Sequence, residues 1–434
     1  MTFESTKAAS RWVTRVIPAI LAGAVGYATY VTVVRVCGKL RLHLTFDLTT
    51  PSRNDHLSNL FALLLVDYLI HDRRQNGSAV AILVLYFLFM LLMIATYLRT
   101  IITINTDPGL VPLGPLAVSR RGSKDGSDKH RGDDLEGQPY FVTPDSNPDS
   151  PGLEQFYTKE VFICETDGRP KWCSECSNWK PDRAHHSSEL NRCVLRMDHY
   201  CPWAGGMVGE NSFKFFVQFT TYTACYCGIV LGAAGSTLKK KMSSGAGVDG
   251  FLVGALGLAG FFGLFTFMMT MTSLRYVLQN MTNVDLLGSR TKVYQLAVRI
   301  PRGSEGTDSY HVINYPLERP GSSFSSNRHS NGTVARVNSP SMGHEARDAL
   351  AHRTFAILRT EAGENPWDLG HWENWKEVMG TNIIDWLFPI RRSPCTKHEF
   401  NESFYRMGKI VDEVRARHGL PPYSAVGPDG LEMQ

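Results

Sequence analysis

The hydrophobic residues of this chain gather into four long runs that are separated by polar segments. Each run is nearly free of charged residues and is long enough, at about 1.5 Å per residue, to cross a hydrocarbon layer about 30 Å thick as a helix. Four buried helices of a soluble core are the alternative, and four such runs in one chain disfavour it. The pattern therefore predicts four transmembrane helices, at residues 16–37, 79–104, 215–238 and 251–278.

A shorter apolar segment at residues 57–70 does not fit this pattern. As a helix it would rise only about 21 Å, and Asp67 would be costly inside lipid. We expect it to form an interfacial helix in the first extracytosolic loop. A fifth span at this position would instead place the two chain ends on opposite sides of the membrane.

With four spans, both chain ends and the long segment between the second and third spans lie on one side of the membrane. Lys7, Arg11 and Arg15 precede the first span and favour the cytosol for that side, because basic residues accumulate in cytosolic segments. Lys239–Lys241, in the short loop between the third and fourth spans, favour the opposite orientation. Charge alone therefore does not decide the orientation.

The polar remainder of the chain excludes one class of partner. The formal net charge is only +4, and no aromatic-basic array or groove-reading motif is present, so we expect no nucleic acid partner. Residues 115–155 and 302–346 are rich in Gly, Ser and Pro, a composition typical of flexible or disordered chain. The patch at 365–380 is rich in aromatic residues and is expected to be ordered.

A cluster of potential metal ligands lies between the second and third spans. Cys173 and Cys176 have the spacing that binds one face of a tetrahedral zinc ion, and a later histidine and Cys193 can complete the set. Such a set leaves no open position, so we predict one structural zinc in a segment too poor in apolar residues to form its own core. His185 adjoins His186, and the spacing leaves the choice between them open. A chance group of free thiols is the alternative.

One cysteine of this region, Cys201, is left without a metal-binding role. An isolated thiol is mostly protonated at neutral pH, but an imidazole within hydrogen-bond reach can take its proton. His199 lies two residues before Cys201, and Asp198 can orient that imidazole and stabilise its cation. The four residues Asp-His-Tyr-Cys thus predict an activated nucleophile, while a structural loop remains the alternative.

Three further motifs accompany the row DHYC (198–201) in order along the chain. TDPG (106–109) follows the second span, TNVD (282–285) follows the fourth, and NPWDLGHWEN (365–374) lies in the tail. Together with Pro-Trp after the cysteine and two spans on each side, these motifs strongly resemble the DHHC family of protein S-acyltransferases, often called palmitoyltransferases. The chain is identified as a member of this family with the DHYC variant that occurs in fungi.

The resemblance implies a two-step, ping-pong S-palmitoyltransferase. Cys201, activated by His199 with Asp198 behind it, takes a long-chain acyl group from acyl-CoA and passes it to a cysteine of a client protein. The acyl chain would lie among the spans and the CoA head in the cytosol. By family position the resemblance implies four substrate contacts: Lys180, Arg183 and His185 at the CoA phosphates, and Trp203 at the mouth of the acyl cavity. A solvated basic face and an interfacial anchor, respectively, are the alternatives.

The family usually binds a second zinc ion, and this chain lacks the ligands for it. The resemblance assigns the four positions to residues that do not usually bind zinc: Ser187, Leu190, Tyr200 and Met207. The tyrosine of DHYC therefore replaces a metal ligand and leaves the base, His199, in place. We expect packing by Leu190, Tyr200 and Met207 to hold the loop of Cys201, with one zinc ion per chain.

The predicted fold class is an all-α integral membrane protein with four transmembrane helices and a cytosolic, zinc-binding, Cys-rich domain between spans two and three. We expect it in an endomembrane or the plasma membrane, with acyl-CoA, client proteins and lipid as partners. The alternative function is an inactive zinc-containing scaffold. The predicted divisions are a cytosolic N-terminus (1–15), spans one and two (16–104), a connector with a flexible insert (105–160), the Cys-rich catalytic domain (161–212), spans three and four (213–278) and a cytosolic tail (279–434) with a disordered insert (302–346).

Overall fold

The computed structural model describes residues 3–36, 77–122, 152–315, 353–398 and 400–422. Its helices are, in chain order, α1 (Phe3–Tyr30), α2 (Gly77–Thr106), α3 (Pro115–Gly122), α4 (Glu154–Tyr157), α5 (Phe213–Ser243), α6 (Gly250–Gln279), α7 (Asn283–Leu286), α8 (His371–Met379), α9 (Ile383–Leu387) and α10 (Ile410–Arg417). A π-helical turn, Val31–Val36, extends α1, and a 3₁₀ turn, Pro394–Thr396, follows α9. The interfacial helix predicted at 57–70 lies outside the described residues, as do residues 123–151 of the segment predicted to be flexible.

Among the residues that the structure describes, four helices are long and apolar enough to cross a membrane, which confirms the predicted spans. We call them spans 1 to 4: Val16–Val36, Val80–Thr106, Phe213–Ser243 and Gly250–Gln279. Span 3 packs along both span 2 and span 4, and their buried side chains form one core. Hydroxyl groups in this core bind each other, since lipid offers them no partner. The Tyr86 hydroxyl lies 2.8 Å from that of Thr29 and 2.7 Å from that of Tyr226.

The turn between spans 3 and 4 is fixed by Asp249, which caps the first turn of α6. Its carboxylate accepts a hydrogen bond from the backbone N–H of Phe251 at 3.1 Å and lies 2.6 Å from the ammonium group of Lys241. An acidic group at a helix N-terminus also interacts favourably with the helix dipole. Lys241 is one of the three lysines whose charge favours the reverse orientation of the membrane spans, and it is paired with Asp249.

The described strands are, in chain order, β1 (Val161–Cys164), β2 (Trp172–Cys173), β3 (Asn178–Trp179), β4 (His185–Ser187), β5 (Arg192–Val194), β6 (His199–Cys201), β7 (Gly206–Val208), β8 (Gln295–Ile300), β9 (His311–Tyr315) and β10 (Arg353–Arg359). Six of them form three hairpins, β2–β3, β4–β5 and β6–β7. We call residues 172–208, which contain the hairpins, the module, and the side of the membrane on which they lie the module face. The four spans and the Cys-rich module between spans 2 and 3 confirm the predicted fold class of a largely helical membrane protein, to which the structure adds some sheet.

A four-stranded antiparallel sheet, ordered β1-β8-β10-β9, is the part of the fold that the sequence pattern did not predict. Its central strands, β8 and β10, are far apart in the sequence, so no local turn signal joins them. The strand β9 lies inside the segment 302–346, and the prediction of disorder is wrong for residues 302–315. Because that segment is polar overall, its pattern does not indicate a strand, and the partner of β9, the strand β10, lies well beyond it in the sequence. Trp179 of the module is buried in the core of the sheet, which joins the two parts.

The tail is tied to the end of span 4 by side-chain amides. The Asn374 amide donates a hydrogen bond to the carbonyl of Leu278 at 2.8 Å, and the Asn365 amide donates one to the carbonyl of Gln279 at 2.9 Å. The last carbonyls of a helix have no partner within the helix, so these bonds satisfy groups that would otherwise need water. The aromatic motif that begins at Asn365 therefore closes span 4 and places α8 beside it.

Candidate active site and metal centre

Four side chains of the module converge with the geometry of a zinc site. The Nδ1 atom of His186 lies 3.5 Å from Sγ of Cys173, 3.5 Å from Sγ of Cys176 and 4.0 Å from Sγ of Cys193. All four ligand atoms lie within 4.8 Å of one another. Tetrahedral Zn–N and Zn–S bonds would place the nitrogen about 3.6 Å from each sulfur, so a zinc ion fits this cluster. The structure selects His186 and not its neighbour His185.

Two hairpins and the chain that leaves span 2 hold this cluster in place. His186 pairs directly opposite Cys193 in β4–β5, and Cys173 ends β2, with Cys176 in the turn that follows. The N–H group of Val111 donates a hydrogen bond to the carbonyl of Cys193 at 2.9 Å. The three thiols are buried, so the set leaves no position open to substrate. This arrangement is typical of a structural site that also fixes the module to span 2.

The residues at the positions that the resemblance assigns to a second zinc ion contact one another. The N–H group of Leu190 donates a hydrogen bond to the Ser187 hydroxyl at 3.3 Å, and Tyr200 lies opposite Met207 in the β6–β7 hairpin. Met207 is buried and packs within the hairpin that carries Cys201. In the part of the chain that the structure describes, the Cys₃His cluster is the one group of three or more side chains able to hold a metal.

Asp198 and His199 form a short hydrogen bond at the start of the β6–β7 hairpin. Oδ2 of Asp198 lies 2.6 Å from Nδ1 of His199. Oδ1 of Asp198 accepts a hydrogen bond from the backbone N–H of Asn283, at 2.9 Å, in the first turn of α7. Because Asp198 is buried and both of its oxygens are engaged, it fixes the orientation of the imidazole and directs Nε2 away from the carboxylate.

Cys201 lies in an apolar layer between the module and the spans, next to His199. The two residues are two positions apart in β6, so their side chains project from the same face of the strand. Cys201 is buried with Phe216 of span 3 and Val378 of α8. The His199 ring meets Phe216 edge-on, and its Nε2 atom has no hydrogen-bond partner within the described structure. A thiol and an unpartnered imidazole nitrogen thus share a site with little water.

Gly206 lets this hairpin lie against the end of span 2. It is paired opposite Cys201, and a Cβ atom at its position would lie 2.6 Å from Cγ2 of Ile104. That distance is shorter than any real contact between carbon atoms, so a side chain there would push the hairpin away from the span. The absence of a side chain at Gly206 therefore allows the hairpin that carries Cys201 to approach Ile104 of span 2 this closely.

The helix α7 is held under Asp198 by a buried ion pair. The Thr282 hydroxyl accepts a hydrogen bond from the Asp285 N–H, and the Asp285 carboxylate accepts one from the Thr282 N–H, so the two residues form a capping box at the start of α7. Nη2 of Arg183, in the module, lies 2.7 Å from Oδ2 of Asp285, and the Arg183 side chain is 1% exposed. Burial alone would raise the pKa of Asp285, but Arg183 holds it below its usual value. The TNVD motif thereby positions the N–H group that binds Asp198.

A small cleft beside this ion pair is lined by basic side chains. Lys180 and His185 border it together with Lys171 and Lys292. Arg183 also borders the cleft, but its guanidinium is committed to Asp285. Burial lowers the pKa of His185 to about 4, so its imidazole is neutral at neutral pH and can donate a hydrogen bond without a charge.

The four spans enclose an apolar cavity of about 570 Å³. Small-molecule sites typically measure about 300–1,000 Å³. All four spans contribute to its walls, which include Ala28, Met90, Val230 and Ala255. Trp203 lies next to its module end: the carbonyl of Trp203 accepts a hydrogen bond from the Tyr97 hydroxyl at 3.0 Å, and its ring meets Phe262 edge-on. Tyr97 and Phe262 both line the cavity, so it ends close to the site of Cys201.

Comparison with known proteins identifies the family to which this chain belongs. A family model described as DHHC palmitoyltransferase matches residues 166–289. Palmitoyltransferase pfa5 of Aspergillus fumigatus is 36% identical over 94% of this chain and 90% of its own length. The chain belongs to the DHHC palmitoyltransferase family. Palmitoyltransferase pfa5 of Emericella nidulans is 34% identical over 94% of this chain and 86% of its own, and palmitoyltransferase PFA3 of Candida albicans is 28% identical over 57% and 56%.

The resemblance drawn from the sequence motifs is thus confirmed, and this palmitoyltransferase is an S-acyltransferase with four membrane spans. Membership of the family implies an acyl donor, protein substrates and a lipid bilayer around the spans. The cluster of three cysteines and one histidine inside the matched region indicates zinc as its metal.

The structure of the palmitoyltransferase brings most of the residues predicted from the sequence into two sites of the module, the metal cluster and the site of Cys201. It places Asp198, His199 and Cys201 together, and it separates Arg183 from solvent. Sequence reasoning missed the backbone N–H of Asn283 as the second partner of Asp198, although the TNVD motif gave a signal for that region. It also missed Lys171 and Lys292, for which the sequence offers no signal beyond their charge.

The Asp198–His199 pair should make the stability of the palmitoyltransferase depend on pH. Burial alone would lower the pKa of His199, but the hydrogen bond to Asp198 and the nearby Cys201 sulfur raise it to about 9, from an ordinary 6.5. The stabilisation is therefore complete below about pH 6.5 and is lost as pH rises through about 9. We expect the unfolding temperature in detergent to fall over this interval more steeply for wild type than for His199→Gln. Equal declines would contradict this assignment.

Proposed function

We propose that Cys201 carries the acyl group of a long-chain acyl-CoA as a thioester and then passes it to a cysteine of a client protein. Nε2 of His199 takes the proton of the Cys201 thiol, and the thiolate attacks the thioester carbonyl. The CoA sulfur leaves and takes that proton. His199 next takes the proton of the client thiol, whose sulfur attacks the acyl carbonyl. The bond from that carbonyl to Cys201 breaks, and the Cys201 sulfur leaves and takes the proton back from His199. One thioester replaces another in each step, so the reaction needs little free energy and depends on positioning.

The observation that carries this proposal is that Cys201 lies outside a complete metal-ligand set and beside an unpartnered imidazole nitrogen. A zinc ion, when bound, would supply folding energy to the module, and its ligands would be Cys173, Cys176, His186 and Cys193. No step of the reaction passes through that ion. Asp198 contributes by orienting His199 and stabilising its cation, with Asn283 holding the carboxylate from the other side.

The cavity among the spans supports binding of a long acyl chain. Exposure of such a chain to water costs about 0.8 kcal/mol per CH₂ group, so the chain must be covered while its thioester reacts. Phe219 and Val230 both line the cavity, and span 3 rises about 16 Å between them. The end near Trp203 would hold the thioester, and the end near Val230 would hold the terminal methyl group.

Replacing Ala255 with phenylalanine should shift the enzyme toward shorter acyl chains. Ala255 lines the cavity close to the start of span 4, at the end remote from the module. A phenyl ring there would displace at least two CH₂ groups, which lowers kcat/KM for palmitoyl-CoA relative to a shorter acyl-CoA by about tenfold. Parallel assays of chain lengths would measure the ratio. Ala246→Phe, in the exposed turn between spans 3 and 4, is the matched control, and an unchanged ratio in Ala255→Phe would contradict the assignment of the cavity.

The cleft bordered by basic side chains supports binding of the CoA phosphates. Lys180 can pair with a phosphate, and neutral His185 can donate a hydrogen bond to one. Lys171 and Lys292 add positive charge to the same cleft. Arg183, which the family resemblance assigns to the phosphates, is bound to Asp285, so its contribution to CoA binding is to hold α7 and the cleft in place.

The substrates determine the orientation that we propose. Acyl-CoA and reduced client cysteines are cytosolic, so the module face is cytosolic, together with residues 1–15, the connector at 105–160, the catalytic domain at 161–212 and the tail at 279–434. The membrane is an endomembrane or the plasma membrane. Pairing of Lys241 with Asp249 reduces the charge that argues for the reverse orientation.

Incubation of the purified chain with labelled palmitoyl-CoA tests the proposal. We expect hydroxylamine-labile label on wild type and on Cys225→Ser, a matched change of an exposed cysteine in span 3, and none on Cys201→Ser. Addition of a client peptide with one cysteine should then move the label to the peptide. A Cys201→Ser protein that binds clients and keeps its cellular function would instead favour the inactive scaffold.

A further inference from the structure

A strip of exposed apolar side chains lies on the module face, outside the four spans. The strip consists of residues 383–390, and five of its large apolar side chains are 44–63% exposed: Ile383, Ile384, Leu387, Phe388 and Ile390. The acidic residue in this stretch, Asp385, is buried. Contiguous exposed apolar surface of this kind is uncommon on a soluble face and marks a surface that contacts a partner.

Span 3 holds the strip through the strip's own backbone. The side-chain amide of Gln218 donates hydrogen bonds to the carbonyls of Asp385 at 3.1 Å and Trp386 at 2.9 Å. The Tyr222 hydroxyl donates one to the carbonyl of Leu387 at 2.5 Å. These bonds leave the apolar side chains of the strip to face outward, because the polar backbone is turned toward the span.

The height of the strip along span 3 coincides with the edge of the hydrocarbon layer. A helix crosses a hydrocarbon layer about 30 Å thick with about 20 residues. The charged end of span 3 begins at Lys239 and marks one edge of the layer, so the other edge lies about 20 residues earlier, near Phe219. The two side chains that hold the strip lie on either side of Phe219. Residues 213–218 of the span are all buried, and Cys225 is its first exposed residue. The strip is therefore bound to span 3 at the level where the span leaves the hydrocarbon layer.

The borders of the strip have the composition of a membrane interface. Trp372 of α8 is 59% exposed and packs edge-on against Trp386, with ring centroids 5.7 Å apart. The Arg391 side chain, 73% exposed, follows the strip at its other end. Tryptophan concentrates at the level of lipid headgroups, and basic side chains at that level contact lipid phosphates.

We propose that the strip, together with Trp372, lies in the interface of the same bilayer that the four spans cross, with its apolar side chains in contact with lipid. Lipid is the occupant because the strip continues the lipid-facing surface of span 3 at the depth where the hydrocarbon layer ends. The inner side of α9 contributes Trp386 to the apolar layer that contains Cys201. Contact with lipid thereby holds one wall of the active site at the membrane surface.

A photo-crosslinker tests this contact in the full-length chain. p-Benzoylphenylalanine in place of Ile384 should form an adduct with labelled phosphatidylcholine when the protein is irradiated in phosphatidylcholine vesicles. The control position is Leu116, which is 59% exposed on α3, a helix joined to the module by a hydrogen bond from Arg120 to Ser177. We expect no lipid adduct above background at Leu116.

Two outcomes would overturn the proposal: lipid labelling at Ile384 no higher than at Leu116, or crosslinking of Ile384 to a second copy of the chain in place of lipid. Ile390 provides a second crosslinking position, so the test stands if the variant at Ile384 does not fold. The readout does not involve acyl transfer, and its failure would therefore leave the role of Cys201 untouched.

Discussion

Replacing Asp198 with asparagine should lower the rate of acyl transfer by roughly 10²- to 10⁴-fold, the range that general acid–base catalysis contributes. Asparagine can still accept the hydrogen bond from Asn283 through its amide oxygen, so the loop keeps its anchor. Its NH₂ group, however, can only donate to Nδ1 of His199. That reverses the tautomer of the imidazole, leaves the Nε2 atom protonated and unable to take the proton of Cys201, and removes the negative charge that stabilises the imidazolium.

The pH–rate profile separates this role from a merely structural one. Loss of the carboxylate lowers the pKa of His199, because the hydrogen bond to Asp198 is one of the interactions that raise it to about 9. The profile of Asp198→Asn should therefore shift to lower pH while its unfolding temperature changes little. Asp249→Asn, the same substitution in the turn between spans 3 and 4, should leave both rate and profile unchanged. Activity of Asp198→Asn within a few-fold of wild type would count against the assignment.

Loss of one zinc ligand should abolish both the fold of the module and the activity of the enzyme. Structural zinc contributes about 10–16 kcal/mol in small zinc-binding domains, whereas a whole domain is stable by only about 5–15 kcal/mol. Cys176→Ser removes a buried ligand from a set of four, so we expect the variant to purify without zinc and its module to be cleaved readily by trypsin.

Metal analysis of two control variants tests how many ions the module holds. Tyr200→Phe and Met207→Leu change positions that bind the second zinc in the family, and both should retain the same one zinc per chain as wild type. Each keeps the packing of the β6–β7 hairpin, so activity should also persist. Two tightly bound zinc ions in wild type, or undiminished zinc in Cys176→Ser, would show that the ligand set is different.

The spans and the metal ligands could be predicted because each depends on local sequence. The thickness of a bilayer dictates the length of an apolar run, and a tetrahedral ion dictates the spacing of Cys173 and Cys176. The choice between His185 and His186 could not be made in that way. It depends on which side chain the β4–β5 hairpin turns toward Cys193, and neighbouring residues of a strand project to opposite faces.

The remaining features depend on contacts between distant parts of the chain. The family position of Arg183 predicts a contact with the CoA phosphates, whereas its pairing with Asp285, 102 positions away, cannot be predicted from the sequence. The sheet was missed for the same reason, since β8 and β10 meet only after the chain returns from a long polar segment. The apolar strip at 383–390 has the composition of a core segment. Only the hydrogen bonds between its backbone and span 3 show that its apolar side chains face outward.

In the mechanism that we propose, Cys201 binds no metal and accepts the acyl group itself. Mass spectrometry of the zinc-loaded wild-type protein, quenched during turnover with palmitoyl-CoA and digested under conditions that preserve thioesters, measures this directly. We expect one palmitoyl group on the peptide that contains Cys201, with the cluster of Cys173 still holding its zinc. A peptide with Cys201 unmodified while another cysteine carries the acyl group would contradict it.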